Sequence, residues 1–346
     1  MEQRSRGYDE TAVYNDELTL AELCDDFIEY AAAYGIKIPA ETARSIFSSM
    51  CASHVIWVSG KNKELARRTL ETLSSYFGSP LNIDRSGESV STYDSATVRM
   101  GRHGGAYAET PFLIDVYSAN YTHKGIRFAA IENIKTEDAE TALKDYLNGA
   151  DVVTRERHAR VAPVEYDAHN FVAFITGDQL RLYPNMWYII IPQDTAPVPV
   201  SAIALDLSAV SQDDSARRSV APPTTVSAAR LYELSASARD AHAIPEDYWK
   251  KIDALEAYIA GKMSYRLDNK SIRRMEAYAA AAMSAGAELI EAIDAAIAAR
   301  MLPVLAACPI ESIQGDEDGI VAFIDRTFGI DNMPCSYECI RKLGVA

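Results

Sequence analysis

Two lysines lie where an apolar segment meets an amphipathic one, and this position is suited to binding phosphate. Residues 54–58, HVIWV, are apolar and rich in β-branched and aromatic side chains, and Ser59-Gly60 marks a turn. Lys61 and Lys63 follow, just before residues 64–77, whose leucines recur at helical spacing. A strand, a glycine turn and a helix would bring these lysines to a helix N-terminus, where phosphate groups bind. The alternative is an ordinary strand–helix turn that carries two solvated lysines.

A second apolar segment ends in a carboxylate and an amide. Residues 126–131, IRFAAI, have the composition of a buried strand, and Glu132 and Asn133 follow them. The carboxylate of Glu132 is able to coordinate a metal ion. Asn133 cannot act as a general base, because an amide does not accept a proton near neutral pH. The alternative is that Glu132 is simply a polar residue at the end of a strand.

The other patterns that could support catalysis or metal binding are weak. Six histidines form neither HxH nor HExxH, and no GxSxG segment is present. Cys335 and Cys339 form a CxxxC pair with Cys308 upstream, but no histidine follows to complete a zinc site. We therefore expect ordinary thiols and no metal site. The basic run at residues 155–160 is expected to be solvated, with contact to an anionic partner as the alternative.

Composition limits the function classes. The chain has 346 residues and a formal net charge of -15, which disfavours a direct role on DNA or RNA. The length predicts two domains. The polar N-terminus lacks an apolar signal region, the apolar runs are too short to span a membrane, and five cysteines suit a reducing compartment. These features predict a cytoplasmic protein without membrane segments.

The order of predicted elements is that of an α/β protein. Helical periodicity predicts helices at residues 18–33, 38–49, 64–77, 112–120, 139–148, 245–261, 271–284, 287–302 and 319–327. Apolar runs predict strands at residues 54–58, 126–131 and 186–191, and residues 151–174 have the composition of strands and turns. Residues 192–227, rich in Pro, Ser, Ala and Asp, predict a linker or a long loop.

These elements predict a parallel sheet flanked by helices and followed by an all-helical region. The predicted boundaries are a polar tail at residues 1–18, an α/β domain at residues 19–227 and a helical lid domain at residues 228–346.

In four segments the chain resembles the AAA+ P-loop proteins, in particular the McrB-type and MoxR-like branch. Residues 41–77 look like that branch's entry helix, first strand, phosphate loop and following helix. Residues 110–148 look like the segment around its Walker B strand, and residues 185–195, NMWYIIIPQDT, like its sensor-1 strand. Residues 248–305 look like its helical lid. The resemblance extends from about residue 38 to 306 and implies a P-loop sheet with a lid.

The same resemblance implies that the phosphate loop has decayed. A working loop has the pattern G-x-x-x-x-G-K-[ST], whose backbone N–H groups surround the phosphates. This chain keeps one glycine, Gly60, and is about four residues too short when aligned through the following helix. Neither Lys61 nor Lys63 is followed by Ser or Thr.

The other nucleotide-contacting positions that the resemblance implies are also altered. Glu132 and Asn133 stand where the family has Asp and Glu, so the residue that polarises water is replaced by an amide. Gln193 stands at or beside the sensor-1 position. Arg273 in the lid is the candidate for a remaining phosphate contact, with a surface ion pair to Glu276 as the alternative.

The sequence therefore predicts an inactive or impaired AAA+-like subunit, a pseudo-ATPase, without a bound cofactor. We expect it to act as a scaffold or regulatory component that assembles with itself or with a protein partner, for which an active AAA+ relative is one candidate. The alternative is a nonstandard NTPase in bacterial defence or protein remodelling. Such an enzyme would bind ATP or GTP with Mg²⁺ through Lys61 or Lys63, Glu132, Gln193 and Arg273.

Overall fold

A computed structural model defines the fold over most of the helical regions and the main sheet. It describes residues 12–60, 62–79, 81–84, 98–99, 106–107, 125–132, 152–153, 164–165, 171–176, 202–213, 222–262, 266–307 and 319–343. The predicted helices at 112–120 and 139–148 and the predicted strand at 186–191 lie outside these residues.

The described strands lie between residues 13 and 225, before the C-terminal helices. They are β1 Val13–Tyr14, β2 Ile36–Lys37, β3 Val55–Ser59, β4 Asn82–Asp84, β5 Val98–Arg99, β6 Ala106–Tyr107, β7 Arg127–Glu132, β8 Val152–Val153, β9 Val164–Glu165, β10 Phe171–Thr176, β11 Ala202–Asp206, β12 Ser211–Gln212 and β13 Thr224–Thr225. The strands predicted at 54–58 and 126–131 are confirmed as β3 and β7, each displaced by one residue.

The helices fall into an N-terminal and a C-terminal group. They are α1 Leu20–Ala33, α2 Ala40–Ala52, α3 Lys63–Tyr76, α4 Ala228–Ala241, α5 Glu246–Ala260, α6 Asn269–Ser284, α7 Leu289–Arg300, α8 Ile320–Phe328 and α9 Pro334–Leu343, with a 3₁₀ segment at Leu302–Ala307. Sequence periodicity located α1–α3 and α5–α8 but missed α4 and α9.

Among the described residues, five parallel strands form the main sheet, in the order β11-β3-β10-β7-β4. Val55 of β3 is in register with Ala173 of β10 on one side and with Ala202 of β11 on the other. The interior strand β3, which lies between β11 and β10, is buried from Val55 to Val58, as expected for a strand covered on both faces. The sheet places the ends of β3, β7 and β10 at one carboxyl edge.

The prediction of a linker over residues 192–227 was wrong, because this segment contains the edge strand β11. Residues 202–206, AIALD, pair along the whole of β3 between proline-containing flanks. The prolines dominated the composition of the segment and hid a five-residue strand that packs into the core, where Ile203 and Leu205 are buried.

The predicted polar tail, residues 1–18, also takes part in the fold. Val13 and Tyr14 form β1, which pairs in parallel with Thr224 and Thr225 of β13. The carboxylate of Asp16 accepts hydrogen bonds from the Ser227 backbone N–H at 2.8 Å and from its hydroxyl at 3.0 Å. Ser227 is itself the N-cap of α4, so the two ends of the α/β segment meet at this helix.

Aromatic side chains fasten the N-terminal helices to the sheet. Phe27 of α1 contacts Phe47 of α2 edge to face at 5.7 Å and Tyr76 of α3 at 5.4 Å between ring centroids. Phe77 lies 5.5 Å from Phe128 of β7, and Phe128 stacks on a β10 phenylalanine. Such ring pairs stabilise a core beyond the area they bury. They hold α3, and therefore the turn that precedes it, against the sheet.

The C-terminal helices share one hydrophobic core with the sheet. Helix α6 packs along α2 and α4, and α7 packs against β11. The Ser235 hydroxyl of α4 donates to the carbonyl of Cys51 at the end of α2, at 3.1 Å. The cluster of buried apolar side chains continues across the predicted domain boundary at residue 227, so α4, α6 and α7 are integral to the folded unit. Within the described part of the chain, no helix is long and apolar enough to cross a membrane.

Candidate functional site

The carboxyl edge of the main sheet is the position where α/β proteins of this design bind ligands. From β3 the chain leads through α3 to β4 at one edge of the described sheet. After β10, the next described strand of this sheet is β11, on the other side of β3. Strands β3 and β10 therefore form a topological switch point, and ligands bind outside the carboxyl ends of such strands. Ser59, the last residue of β3, lies there, and Gly60 directly follows it.

The connection between β3 and α3 is very short. Strand β3 ends at Ser59 and α3 begins at Lys63, which leaves only residues 60–62 between them. The side-chain oxygen of Asn62 accepts a hydrogen bond from the backbone N–H of Leu65 at 3.1 Å, as an N-cap residue does. One of the free amides that would attract an anion to this helix N-terminus is thus already satisfied within the protein.

Gly60 is packed between the first turn of α3 and the chain that follows β11. A side chain at this position would place its Cβ 3.5 Å from the Cβ of Ala66 and 3.7 Å from Leu207. The backbone N–H of Leu207 donates to the carbonyl of Ser59 at 2.8 Å, and the Leu207 side chain is buried. Ala66 and Leu207 therefore line one side of this turn at van der Waals distance.

The structure places some of the predicted site residues at the same edge. Glu132 is the last residue of β7 and is in register with Thr176, the last residue of β10, which lies between β7 and β3. Lys63 is exposed in the first turn of α3. Lys61, Asn133 and Gln193 lie outside the described residues, so the predicted roles of these residues stay predictions.

Arg273 is not brought to this edge. It lines a pocket with His54 and Ile126, which directly precede β3 and β7, and with Arg274. This pocket therefore lies at the amino edge of the sheet. The five residues of β3 separate the two edges by about 16 Å at ~3.3 Å per residue. The expected phosphate contact between Arg273 and a nucleotide beside Gly60 does not fit this arrangement, because the sheet places them at opposite ends of β3.

Sequence reasoning missed most of the residues that form this second pocket. Arg273 was selected from the sequence and its neighbour Arg274 was not, and Arg239 lies on α4, a helix that was not predicted. An arginine can be assigned to the surface of a helix only when the helix itself has been predicted, and α4 was not. The convergence of α4 with α6 is a tertiary contact that no local pattern encodes.

Two of the partly buried thiols are held protonated. Burial raises the pKa of Cys51 to about 12, and burial together with Asp294 raises the pKa of Cys339 to about 12. Thiols held protonated are poor nucleophiles and poor metal ligands. Among the described residues, no three His, Cys, Asp or Glu side chains gather as a metal site would require.

Comparison with known proteins gives a fold-level likeness. No model of a known protein family matches the chain. No curated protein matches it either. Among solved structures, the chain is similar to a candidate ATPase from Cytophaga hutchinsonii ATCC 33406, with a TM-score of 0.52 and 11% identity over 93% of this chain and 96% of that chain. At this identity the likeness concerns the fold alone. Together with the parallel sheet, it shows that this chain has an ATPase-like α/β fold.

Proposed function

We propose that this chain is a non-hydrolysing AAA+-like subunit, related to the McrB-type and MoxR-like branch, that acts through protein contacts. In this proposal it is a cytoplasmic scaffold or regulatory component that assembles with further copies of itself or with an active AAA+ relative. It needs no bound nucleotide. The proposal separates the fold, which is ATPase-like, from the chemistry usually carried by that fold.

The observation that carries this proposal is the three-residue connection between β3 and α3. Successive backbone N–H groups can surround a phosphate only if the loop between strand and helix is long enough to curve around it. Residues 60–62 are too few to do so, and the third of them, Asn62, is engaged as the helix cap. A phosphate would therefore meet few free amides here.

Two further features support the loss of hydrolysis. Leu207 packs beside Gly60 and is tied to Ser59 by a backbone hydrogen bond, so the carboxyl end of β3 is covered on that side by the protein. Asn133 follows Glu132 where a water-polarising carboxylate is required, and an amide cannot accept the proton.

Nucleotide binding is the experiment that tests this proposal. Fluorescent ATP and GTP analogues are titrated with Mg²⁺ against the full chain, and thermal unfolding is followed in parallel, because a ligand of the native state raises its stability. The comparison includes Lys61→Ala, Glu132→Ala and the control Lys250→Ala, which alters an exposed lysine on α5. We expect no saturable binding at the carboxyl edge and no turnover in any of these proteins.

Saturable binding that is lost in Lys61→Ala or Glu132→Ala but kept in Lys250→Ala would overturn the proposal and favour the nonstandard NTPase. The assembly part is tested separately by light scattering coupled to size exclusion, over a range of protein concentrations. A mass that stays at one chain at all concentrations, without capture of an AAA+ relative from the source cells, would remove the scaffold role.

A further inference from the structure

A pocket of about 330 Å³ at the amino edge of the sheet has an apolar floor and a basic rim. The floor is formed by buried side chains, among them Ile126 at the start of β7 and Leu231 of α4. Its volume is at the lower end of the range for small-molecule sites, ~300–1,000 Å³. The pocket lies where α2, α4 and α6 meet the sheet, so rigid elements fix its shape.

Three arginines are among the residues that line this pocket. Arg239 comes from α4, and Arg273 and Arg274 come from α6, and His54 also belongs to the lining. Arg239 and Arg273 are exposed at the rim, and Arg274 is half-buried. None of the described residues that line the pocket is an aspartate or a glutamate. This gathering of positive charge is unexpected in a chain whose net charge is -15.

Positive charge persists in the interior part of the pocket. Burial, followed by the nearby Arg300, lowers the pKa of Arg274 to about 10, and Asp268 acts in the opposite direction. Arg274 is therefore still protonated at neutral pH. Asp268 is engaged as the N-cap of α6, where it accepts from the Ser271 N–H at 2.6 Å. The positive charge of the nearby Arg300, which lowers the pKa of Arg274, would also attract an anion bound beside Arg274.

From this geometry we infer that the amino-edge pocket binds a small organic phosphate, whose phosphate contacts Arg239, Arg273 and Arg274 while its apolar body rests on Ile126 and Leu231. Guanidinium groups bind phosphate oxygens in a forked arrangement with charge-assisted hydrogen bonds. A phosphate monoester carries a charge of about -1.5 to -2 near neutral pH, which suits three arginines better than a single carboxylate does. The apolar floor favours a ligand with an organic body over inorganic phosphate.

This site is independent of the nucleotide position of the fold. It lies at the opposite end of β3 from Gly60, and it includes no residue of the β3–α3 connection. A ligand held there would contact α4 and α6 together, so it would stabilise the packing between these two helices by mass action.

Phenyl phosphate is the probe that tests the inference, because it combines a phosphate with an apolar ring. Calorimetric titration of the full chain compares phenyl phosphate with inorganic phosphate, benzoate and benzyl alcohol. We expect saturable binding of phenyl phosphate, weaker binding of inorganic phosphate and of benzoate, and none of benzyl alcohol. Arg239→Gln and Arg273→Gln should each weaken phenyl phosphate binding about tenfold, as the loss of a charge-assisted hydrogen bond does.

The matched control is Arg341→Gln, which removes an exposed arginine on α9. It should leave binding unchanged, and so should Lys61→Ala, which separates this site from the carboxyl edge. Because Arg239 and Arg273 are exposed, both variants should retain the wild-type circular dichroism spectrum. Equal affinity in wild type and in the double Arg239→Gln/Arg273→Gln variant would overturn the inference. Absence of saturable binding at millimolar probe, or benzoate binding as tightly as phenyl phosphate, would also overturn it.

Discussion

The carboxylate of Asp294, on α7, accepts hydrogen bonds from both the backbone N–H and the hydroxyl of Ser336, at 2.8 and 2.5 Å. It also accepts from the backbone N–H of Cys335 at 2.7 Å. Ser336 and Cys335 lie in the first turn of α9, so a side chain from one helix caps the N-terminus of another. Asp294 and Ser336 are fully buried. Burial raises the pKa of Asp294, and the hydrogen bonds oppose that rise.

We predict that Asp294→Ala lowers the free energy of unfolding by about 3 kcal/mol, because it leaves buried donors of α9 without an acceptor. Ser336→Ala removes only the hydroxyl and should cost about 1 kcal/mol. Urea unfolding of the two variants measures both values. A cost for Asp294→Ala no larger than that for Ser336→Ala would show that the cap contributes little to holding α9.

Gly60 and Gly35 form a matched pair for substitution by alanine. At Gly60 the added Cβ makes ordinary contacts, at 3.5 Å and beyond. At Gly35 the backbone has a φ of +73° and the Cβ would lie 2.5 Å from the carbonyl oxygen of Asp213. We predict that Gly60→Ala changes the free energy of unfolding by no more than about 1 kcal/mol. Gly35→Ala should cost about 2 kcal/mol or more.

Thermal and urea unfolding of both variants give the comparison. If Gly60→Ala is tolerated, the turn between β3 and α3 does not need a backbone conformation that is restricted to glycine. If Gly60→Ala is as destabilising as Gly35→Ala, the turn needs a backbone conformation that alanine cannot adopt. Contacts with α3 and Leu207 would then not be the only constraint on Gly60.

Stability in alkaline solution should depend on Cys24. Burial, with Cys51 and Asp25 contributing, raises the pKa of this thiol to about 12. An unfolded cysteine titrates near ~8.5. The native state thus retains a proton that the unfolded state loses, so the stabilisation is complete below pH ~8.5 and is lost as pH rises towards 12.

Over that range the contribution of Cys24 falls by about 1.4 kcal/mol per pH unit. Cys24→Ala should therefore flatten the plot of unfolding free energy against pH by about this slope. Urea titrations at several alkaline pH values measure it, with Ile330→Ala as an exposed, non-titrating control. A variant whose slope equals that of wild type would show that Cys24 is not held protonated.

The ion pair between Lys342 of α9 and Asp206 of β11 joins the last helix to the edge strand. Both side chains are partly exposed, and Lys342 also lies 3.3 Å from Glu338. We predict a coupling energy of only ~0.2–1 kcal/mol in a double-mutant cycle with Lys342→Met and Asp206→Asn, decreasing in high salt. A salt-independent coupling well above that range would indicate that the pair is shielded from solvent.

Local signals in the sequence predicted local structure well. Thr19 and Glu22 have the residue types and spacing of a capping box, and they form one at the start of α1, where the Glu22 side chain accepts from the Thr19 N–H at 2.9 Å. The helix start is encoded within four residues, so sequence reasoning can find it. The shortness of the β3–α3 connection was visible for the same reason.

Relationships between distant segments were the part that the sequence concealed. The local sequences FVAFIT and AIALD do not indicate that β10 and β11 both pair with β3, because the pairing partner of a strand depends on the whole topology. The position of Arg273 was concealed for the same reason. Its helix was predicted, but its location at the amino edge of the sheet was not. The pocket at the amino edge exists only through the convergence of three helices.

The position of β3 in the sheet has a consequence for biosynthesis. Its neighbours β10 and β11 begin at residues 171 and 202, so the ribosome makes β3 long before either partner. At ~5–20 residues per second, about 7 to 30 seconds pass between the end of β3 and the start of β11. Until β10 has been made the apolar sequence VIWV lacks both neighbouring strands, and until β11 has been made it lacks one of them. Production of the protein in cells should therefore depend on chaperones that shield this segment until translation reaches β11.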